Sequence, residues 1–124
     1  MCKILISINP EHVKNIIDGI KKYEYRTRVA KRDVDSIIVY CTYPTKKVLA
    51  EVKIKSVLAD TPNALWERTK DFSGISKEFF MKYFNDRETA YAYELGEVLE
   101  YNIPKDLIDF GCISAPQSYM YVNI

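Results

Sequence analysis

The ten residues from Gly19 to Arg28 constrain the fold more than any other stretch of this sequence. Apolar residues at helical spacing lead up to Gly19, which stands where a helix commonly ends in a left-handed residue. Charged residues then alternate with aromatic or small ones, and this period of two is typical of a strand. Because Glu24 and Arg26 would be out of place in an apolar core, we interpret the strand as the floor of a polar site.

The parity of this strand decides which of its side chains can meet. In a regular strand one face carries Lys22, Glu24, Arg26 and Arg28, and the other carries Lys21, Tyr23, Tyr25 and Thr27. Lys21 can therefore join Glu24 only from the turn before the strand or through a bulge.

The length and the charge of the chain limit the number of domains and the class of protein in which such a site can occur. With 124 residues, the chain is predicted to form a single domain that spans 1–124. Charged residues amount to 28% and nearly cancel, with a formal net charge of +1, so overall basicity does not indicate a nucleic-acid binder. Any nucleic-acid site must then be a local patch.

The cysteines and the N-terminal residues indicate which cofactors and which cellular compartment to expect. Cys2, Cys41 and Cys112 are an odd number without C-x-x-C spacing, which argues against a disulfide framework and against a zinc site. We expect neither a metal nor another cofactor, and we expect a reducing, cytoplasmic location. The first apolar run meets Asn9-Pro10 before it reaches the length of a signal peptide, and no stretch approaches a membrane span, so no membrane association is expected.

Hydrophobic periodicity and capping residues predict the other elements. Besides the strand after Gly19, strands are predicted at 3–8, 36–42, 46–58, 89–101 and 118–123. Helices are predicted at 10–19, 60–70 and 77–84, and 104–110 is predicted to be a short helical or irregular piece. Since helices are inserted between long strands without the spacing of βαβ units, the predicted class is α+β, a curved sheet or small β-barrel with inserted helices.

Several motifs together carry a resemblance to a known family. The series Gly19-x-Lys21-x-x-Glu24-x-Arg26 is accompanied by Ser7-Ile8-Asn9-Pro10, Tyr40 to Pro44, Leu65-Trp66 and Pro116-Gln117-Ser118-Tyr119. In this combination the chain resembles the ASCH domain family, which has a PUA-like β-barrel fold. The resemblance spans nearly the whole chain and implies a cleft over the barrel mouth, rimmed by the signature strand and the first helix.

The resemblance also implies a role connected with RNA or nucleosides. The family is associated with binding of RNA or modified nucleosides; some members resemble small amidohydrolases of acylated cytidine, and at least one resembles a ribonuclease. It implies that the cleft is lined by Lys21, Glu24 and Arg26, with Gln117 and Ser118 approaching from the last strand. The sequence departs from the pattern in two places: Glu24 replaces the threonine of amidohydrolase-like members, and Asn9 replaces a lysine found in many relatives.

The chemistry of these side chains favours a ligand site independently of the resemblance. Arg26 can hold Glu24 ionised while Lys21 stays available for a phosphate or carbonyl oxygen. Glu24 can accept hydrogen bonds from the exocyclic amine of cytosine or adenine, and Gln117 can pair with a base edge. A base can also stack on a tyrosine, for which the candidates are Tyr23, Tyr25 and Tyr43.

An enzyme would use the same residues. In a small metal-independent hydrolase, burial and Arg26 would lower the pKa of Lys21 so that it acts as base or nucleophile, and Glu24 would shuttle a proton. The same three side chains also fit an ordinary ion-pair ladder on the surface of a strand. The sequence alone does not separate binding from hydrolysis.

Other charged and aromatic groups also have both a functional and a structural interpretation. One basic cluster fits either a nucleic-acid patch or a solvated loop: Arg26, Arg28, Lys31 and Arg32. One aromatic run is expected in the core or in a lid over it: Phe79, Phe80, Tyr83 and Phe84. The only histidine, His12, is expected on the exposed side of the first helix, in solvent.

Three alternative functions follow from these observations. The preferred one is a regulatory domain that binds RNA or a modified nucleoside in a polar cleft. The second is a hydrolase of the amidohydrolase or ribonuclease type that uses Lys21 and Glu24, and the third is a protein-binding regulator whose barrel presents a surface to a protein partner. The natural ligand and the oligomeric state stay open at this point.

Overall fold

A six-stranded mixed sheet, curled into a half-barrel, forms the framework of the molecule. The computed structural model describes residues 2–122. The strands are β1 (Lys3–Ile8), β2 (Tyr23–Arg26), β3 (Ser36–Cys41), β4 (Lys47–Asp60), β5 (Ala90–Lys105) and β6 (Tyr119–Val122). They lie in the order β2-β5-β4-β3-β1-β6, where β1 and β3 are parallel and all other neighbours are antiparallel. The predicted α+β class is confirmed.

Three α-helices accompany the sheet: α1 (Pro10–Ile17), α2 (Pro62–Thr69) and α3 (Lys77–Tyr83). Short 3₁₀ turns lie at Lys70–Phe72 and Leu107–Phe110. Side-chain oxygens of Asn9, Thr61 and Ser76 accept a backbone N–H in the first turn of α1, α2 and α3 respectively, so each helix begins at a polar cap. No helix in residues 2–122 combines the length and the apolar character needed to cross a membrane.

The turn between α1 and β2 has the conformation that the sequence predicts. Gly19 is left-handed, with a φ of +79°, and follows the helix end at Ile17 by two residues. The backbone N–H groups of Ile20 and Lys21 both donate to the carbonyl oxygen of Asn15, at 2.9 and 3.0 Å. The chain therefore reverses tightly before β2, and Lys21 lies in this turn.

The end of β5 differs from the prediction. Pro104 was expected in a helical or irregular piece, but β5 continues to Lys105 and the 3₁₀ turn begins only at Leu107. The pairing with β4 jumps from Ala50–Glu100 to Val48–Lys105, so the proline lies in an irregular part of the ladder. Proline has no backbone N–H, so a strand tolerates it only at a position that donates no hydrogen bond to the neighbouring strand.

The last strand was predicted at 118–123, and the structure places it at Tyr119–Val122. The predicted final position, Asn123, lies outside the described residues.

One apolar cluster fixes α2 and α3 on the edge of the sheet formed by β2 and β5. It consists of Tyr25, Leu65, Trp66, Phe80, Phe84, Ala90 and Ala92. Phe80 is fully buried and its ring lies edge-on to that of Tyr25, with 5.0 Å between centroids. Burial of a ring of this size contributes about 1.5–3 kcal/mol. The cluster thus holds α3 firmly over the strand that carries the signature residues.

A second cluster packs α1 on the inner face of β1 and β3. Its fully or nearly fully buried members include Ile4, Ile6, Val13, Ile16, Ile37 and Val39. Together the two clusters place α1 and α3 on either side of the turn that contains Lys21, and the site lies between them.

Candidate ligand-binding site

A cavity of about 210 Å³ opens between α1, β2 and α3. Its wall is formed by Ser7, Ile8, Asn9, His12, Lys21, Glu24, Tyr25, Arg26, Ile75, Phe79 and Tyr83. The structure thus brings together three of the residues predicted for the cleft: Lys21, Glu24 and Arg26. It also adds a histidine and two rings that the sequence did not indicate as part of a site.

Lys21 is the buried cation of this cavity. It is 3% exposed, its Nζ donates to the carbonyl oxygen of Ser73 at 2.9 Å, and the same Nζ lies 4.8 Å from the centre of the Tyr25 ring. Burial lowers the pKa of the Lys21 ammonium from its ordinary value, Glu24 opposes this shift, and Arg26 adds to it. Lys21 comes from the turn before β2, one of the two routes to Glu24 that the strand parity allows.

The loop from Phe72 to Ile75 holds Lys21 in place. The backbone N–H of Lys22 donates to the Phe72 carbonyl oxygen at 2.9 Å, next to the bond between Lys21 and Ser73. Gly74 is left-handed, with a φ of +70°, and a Cβ built on it would lie 2.6 Å from Cβ of Lys21. Only a glycine lets this loop come so close to the lysine.

Glu24 and Arg26 form an ion pair beside Lys21. Glu24 Oε2 accepts from Arg26 Nε at 3.0 Å and lies 2.9 Å from Arg26 Nη2. Arg26 Nη2 also donates to the carbonyl oxygen of Ser7 at 3.0 Å, and this bond links β2 to β1 across the mouth of the half-barrel. Within residues 2–122, Glu24 Oε1 makes no hydrogen bond, so one carboxylate oxygen stays available.

Lys21 and Glu24 share the cavity without forming an ion pair with each other. The Lys21 ammonium is directed to the Ser73 carbonyl, and the Glu24 carboxylate is directed to Arg26. A lysine ammonium has three N–H donors, of which the bond to Ser73 uses one. The cavity therefore presents both unused donors and an unused acceptor to a small polar group.

His12 lies in the cavity wall, so the prediction that it is solvated was wrong. Its backbone N–H donates to the Asn9 cap at 3.0 Å, which sets the histidine in the first turn of α1, and its ring lies edge-on to Phe79 at 6.1 Å between centroids. Helical spacing places His12 away from the second cluster, in which Val13 and Ile16 of the same helix are buried. It could not show that α3, a distant part of the chain, covers this side of α1.

The aromatic run of α3 divides between the core and the cavity. Phe80 and Phe84 are buried, whereas Phe79 is 51% and Tyr83 is 39% exposed, and both exposed rings line the cavity. Of the tyrosines considered for stacking, Tyr25 is only 6% exposed and bonds through its hydroxyl to Thr69. Phe79 and Tyr83 are therefore the accessible rings at this site.

A broader groove of about 600 Å³ adjoins the cavity. The two share Asn9, His12, Ile75 and Phe79. Ile20, which is 55% exposed, also lines the groove. A ligand in the cavity can thus extend outwards between α1 and the start of α3.

Gln117 and Ser118 lie apart from this cavity. Both are exposed, and Ser118 lines a separate cavity of about 890 Å³ together with Arg28 and Lys31. The neighbouring Pro116 comes closer, because its carbonyl oxygen accepts a hydrogen bond from Ser7 Oγ at 2.9 Å. A ligand role for Gln117 and Ser118 stays a prediction.

The four residues of the predicted basic patch fall into two groups. Arg26 is partly buried and committed to Glu24 and Ser7, whereas Arg28, Lys31 and Arg32 are exposed in the connection after β2. The guanidinium of Arg32 lies over the ring of Tyr121, 4.3 Å from its centre.

Two tyrosine hydroxyls fix the backbone of this basic connection. The hydroxyl of Tyr93 accepts from Ala30 N–H at 2.8 Å, and that of Tyr121 accepts from the N–H groups of Lys31 and Arg32 at 3.1 and 3.2 Å. The exposed basic side chains therefore project from an anchored backbone.

The part of the chain that the structure describes contains no cluster of metal-binding side chains. No group of three or more histidine, cysteine, aspartate or glutamate side chains comes together there in a way that could hold an ion. The cavity wall instead carries two cations, Lys21 and Arg26, with one carboxylate, Glu24, and one imidazole, His12.

Comparison with solved structures gives the same architecture. The crystal structure of ASCH from Zymomonas mobilis superposes with a TM-score of 0.88 at 26% sequence identity, covering 98% of this chain and 87% of that chain. The half-barrel described above is thus the PUA-like fold of ASCH structures.

Comparison with curated sequences adds two relatives. An ASCH domain-containing ribonuclease from Zymomonas mobilis is 30% identical over 92 residues, which are 73% of this chain and 62% of that protein. ATP synthase subunit alpha of Ureaplasma parvum serovar 3 is 28% identical over 121 residues, which are 97% of this chain and 15% of that protein. The chain thus spans less than two thirds of the length of each of these relatives.

A family model also matches most of the chain. The model of the ASCH domain aligns with residues 6–104, a range that includes every residue of the cavity wall. The chain therefore belongs to the ASCH domain family.

Proposed function

We propose that this ASCH domain binds single-stranded RNA or a modified nucleoside, with one base or base-sized group in the cavity beside Lys21. The observation that carries this proposal is a buried ammonium and a buried carboxylate that share a cavity without pairing with each other. Buried charges are unfavourable unless their bonding capacity is used. A polar ligand group between Lys21 and Glu24 would use it.

The size of the cavity favours a single base. Its volume of about 210 Å³ lies below the ~300–1,000 Å³ that is usual for sites of drug-sized ligands. A planar base can enter while its sugar stays in the adjoining groove. The exposed rings of Phe79 and Tyr83 offer stacking surfaces, and stacking contributes about 1–3 kcal/mol per base.

The polar groups match the edge of a base that has both acceptors and a donor. Glu24 Oε1 can accept from an exocyclic amine, while Lys21 Nζ can donate to a keto oxygen or ring nitrogen. Arg26 holds the carboxylate in position rather than contacting the ligand through its Nε. This division of roles makes Lys21 and Glu24 the two residues that we expect to touch the base.

The exposed basic residues extend the proposed site to the phosphate backbone. Arg28 and Lys31 line the separate cavity together with Ser118, and Arg32 lies next to them in the sequence. A chain whose base occupies the main cavity can lay its phosphates along this edge, where Gln117 and Ser118 would add neutral hydrogen bonds. We propose a cytoplasmic, regulatory role, in keeping with the three free cysteines.

Hydrolysis is the second candidate, and the environment of Lys21 favours it. A lysine whose pKa is lowered by burial can act as a base or nucleophile at a milder pH than a solvated one. Glu24 would then carry the proton. A relative that bears the name ribonuclease makes RNA the first substrate to test.

A screen that measures binding and turnover in parallel tests both candidates. Wild type, Lys21→Ala and the exposed control Lys14→Ala are mixed with labelled single-stranded RNA, with nucleosides and with acylated cytidine. We expect RNA or a nucleoside to bind wild type and Lys14→Ala, and to bind Lys21→Ala at least tenfold more weakly.

The possible outcomes separate the functions. Product formation that disappears in Lys21→Ala would establish the hydrolase instead of a pure binder. Equal binding by wild type and Lys21→Ala would refute the role of the cavity. An absence of both binding and turnover would refute the proposal and leave the protein-binding regulator.

A further inference from the structure

His12 lines the cavity, yet the proposed function gives it no role. Its ring lines both the cavity and the adjoining groove, and it is held from two sides, by the Asn9 cap through its backbone and by the Phe79 ring. His12 is therefore in a position to contact a ligand in the cavity.

The two ring nitrogens of His12 have different surroundings. Nδ1 is enclosed and has no hydrogen-bond partner within residues 2–122, whereas Nε2 is not among these enclosed atoms. We therefore expect a ligand in the cavity to reach His12 through Nε2. A proton on Nδ1 would be a buried donor without an acceptor, which is costlier than a buried acceptor without a donor. The favoured tautomer therefore carries its proton on Nε2.

The charges around the ring favour its neutral form. Lys21 and Arg26 face it as cations, and Glu24 and Glu11 face it as carboxylates, but Glu24 is already committed to Arg26. The first turn of a helix also disfavours a cation. Burial lowers the pKa of His12, Lys21 and Arg26 lower it as well, and the two glutamates only partly oppose them.

We propose that His12 is a specificity-determining residue of this cavity: it stays neutral, carries its proton on Nε2, and donates that proton to an acceptor atom of the bound base. This inference rests on the proposed function, because it needs a base in the cavity. Lys21 and His12 then donate to two acceptors of one base edge, one as a cation and the other as a neutral group. The neutral donor avoids placing a third cation in a cavity that has a single carboxylate.

Because His12 is the only histidine of the sequence, its tautomer can be measured without assignment. The protein is labelled with ¹⁵N, carries no histidine tag, and is examined by long-range ¹H–¹⁵N NMR at neutral pH. We expect a pyridine-like shift for Nδ1 and a pyrrole-like shift for Nε2. An imidazolium, or the opposite tautomer, would overturn the inference whether or not RNA binds.

Two isosteric variants test the donor in the complex. The amide nitrogen of glutamine reaches the position of Nε2, whereas that of asparagine reaches the position of Nδ1. With a labelled single-stranded RNA of about eight nucleotides, within the usual range of single-strand sites, we expect His12→Gln to bind nearly as well as wild type. His12→Asn and His12→Ala should bind about tenfold more weakly, as expected for one lost hydrogen bond.

The outcomes distinguish failure of this inference from failure of the proposed function. If wild type binds RNA and the glutamine and asparagine variants bind it equally, His12 is not the donor, although the cavity still binds a base. If wild type binds neither RNA nor nucleosides, the proposed function fails and the donor role fails with it. Thermal unfolding of each variant shows whether a loss of binding reflects a loss of folding.

Discussion

At the scale of single residues, the site depends on a lysine that the fold withdraws from water. Lys21 is 3% exposed, and the only hydrogen bond of its Nζ within the described residues goes to the Ser73 carbonyl oxygen. A backbone oxygen compensates a buried ammonium less well than a carboxylate does, and Glu24 is already paired with Arg26. The contacts within the described residues therefore offset only part of the desolvation cost of Lys21, and the proposed ligand would offset more of it.

Gly74 allows a test of how closely Lys21 is held. Gly74→Ala should destabilise the fold by about 2 kcal/mol or more, because a left-handed alanine is strained and its Cβ would lie 2.6 Å from Lys21 Cβ. Gly19→Ala is the matched control, since Gly19 has a φ of +79° but no atom within 4 Å of an added Cβ. It should show only the conformational penalty, about 1 kcal/mol.

Urea unfolding of the two glycine variants measures the difference. An equal loss of stability in both would mean that the Gly74 loop relaxes freely, and the close contact with Lys21 would then have no energetic weight.

The sequence predicted the residues of β2 better than the loop that faces them. The parity of the strand correctly gave Glu24 and Arg26 a common face, and it allowed Lys21 to join them from the turn. Ser73 and Gly74 lie about fifty residues further along the chain, and no local pattern connects them to Lys21. Contacts of this kind depend on how α2 and α3 pack, which periodicity does not contain.

At the scale of elements, α3 places one aromatic ring in the apolar core and the ring next to it in the sequence at the cavity. Phe80 points into the cluster with Tyr25 and Trp66, while Phe79 is half exposed at the cavity. The sequence showed that α3 is aromatic and begins after Ser76, but it could not show which rings face the site. That choice is set by how the helix is rotated on the sheet.

A pair of neighbouring substitutions in α3 separates binding from folding. Phe80→Ala should lower the free energy of unfolding by about 3–5 kcal/mol, because it empties a fully buried position. Phe79→Ala should change stability by less than about 1 kcal/mol and weaken RNA binding about tenfold through lost stacking.

Chemical unfolding and fluorescence anisotropy on the same preparations measure both effects. Unchanged RNA binding by Phe79→Ala would remove this ring from the proposed site.

At the scale of the whole molecule, the charge is nearly balanced, yet its distribution is not uniform. Arg28, Lys31 and Arg32 are exposed on one connection whose backbone is anchored by Tyr93 and Tyr121, while Arg26 is used inside the cavity. The sequence indicated a single basic cluster of four residues. Its division into an internal and an external part follows from the end of β2 at Arg26, which composition does not reveal.

If the proposed site includes both parts, binding of RNA at each should depend differently on salt. Removing two phosphate contacts with the double variant Arg28→Ala/Lys31→Ala should reduce the slope of log K against log salt by about 0.7 for each contact. Lys21→Ala should weaken binding at every salt concentration without changing the slope, because the proposed partner of Lys21 is a base and not a phosphate. The double variant Lys53→Ala/Lys55→Ala removes two exposed charges from β4 and serves as the control.

RNA titrations at several salt concentrations give the slopes. A slope that falls as much in the β4 control as in the Arg28 and Lys31 variant would show that general charge, rather than the proposed edge, attracts RNA.

The most direct test of the central claim is the dissociation constant of a short single-stranded RNA for Lys21→Met, compared with wild type and with Lys22→Met. Methionine keeps the length of the buried side chain but removes its charge, so stability should stay within about 1 kcal/mol of wild type. We predict that Lys21→Met binds at least tenfold more weakly, whereas the exposed neighbour Lys22→Met binds normally. Unchanged affinity in a folded Lys21→Met protein would contradict the account.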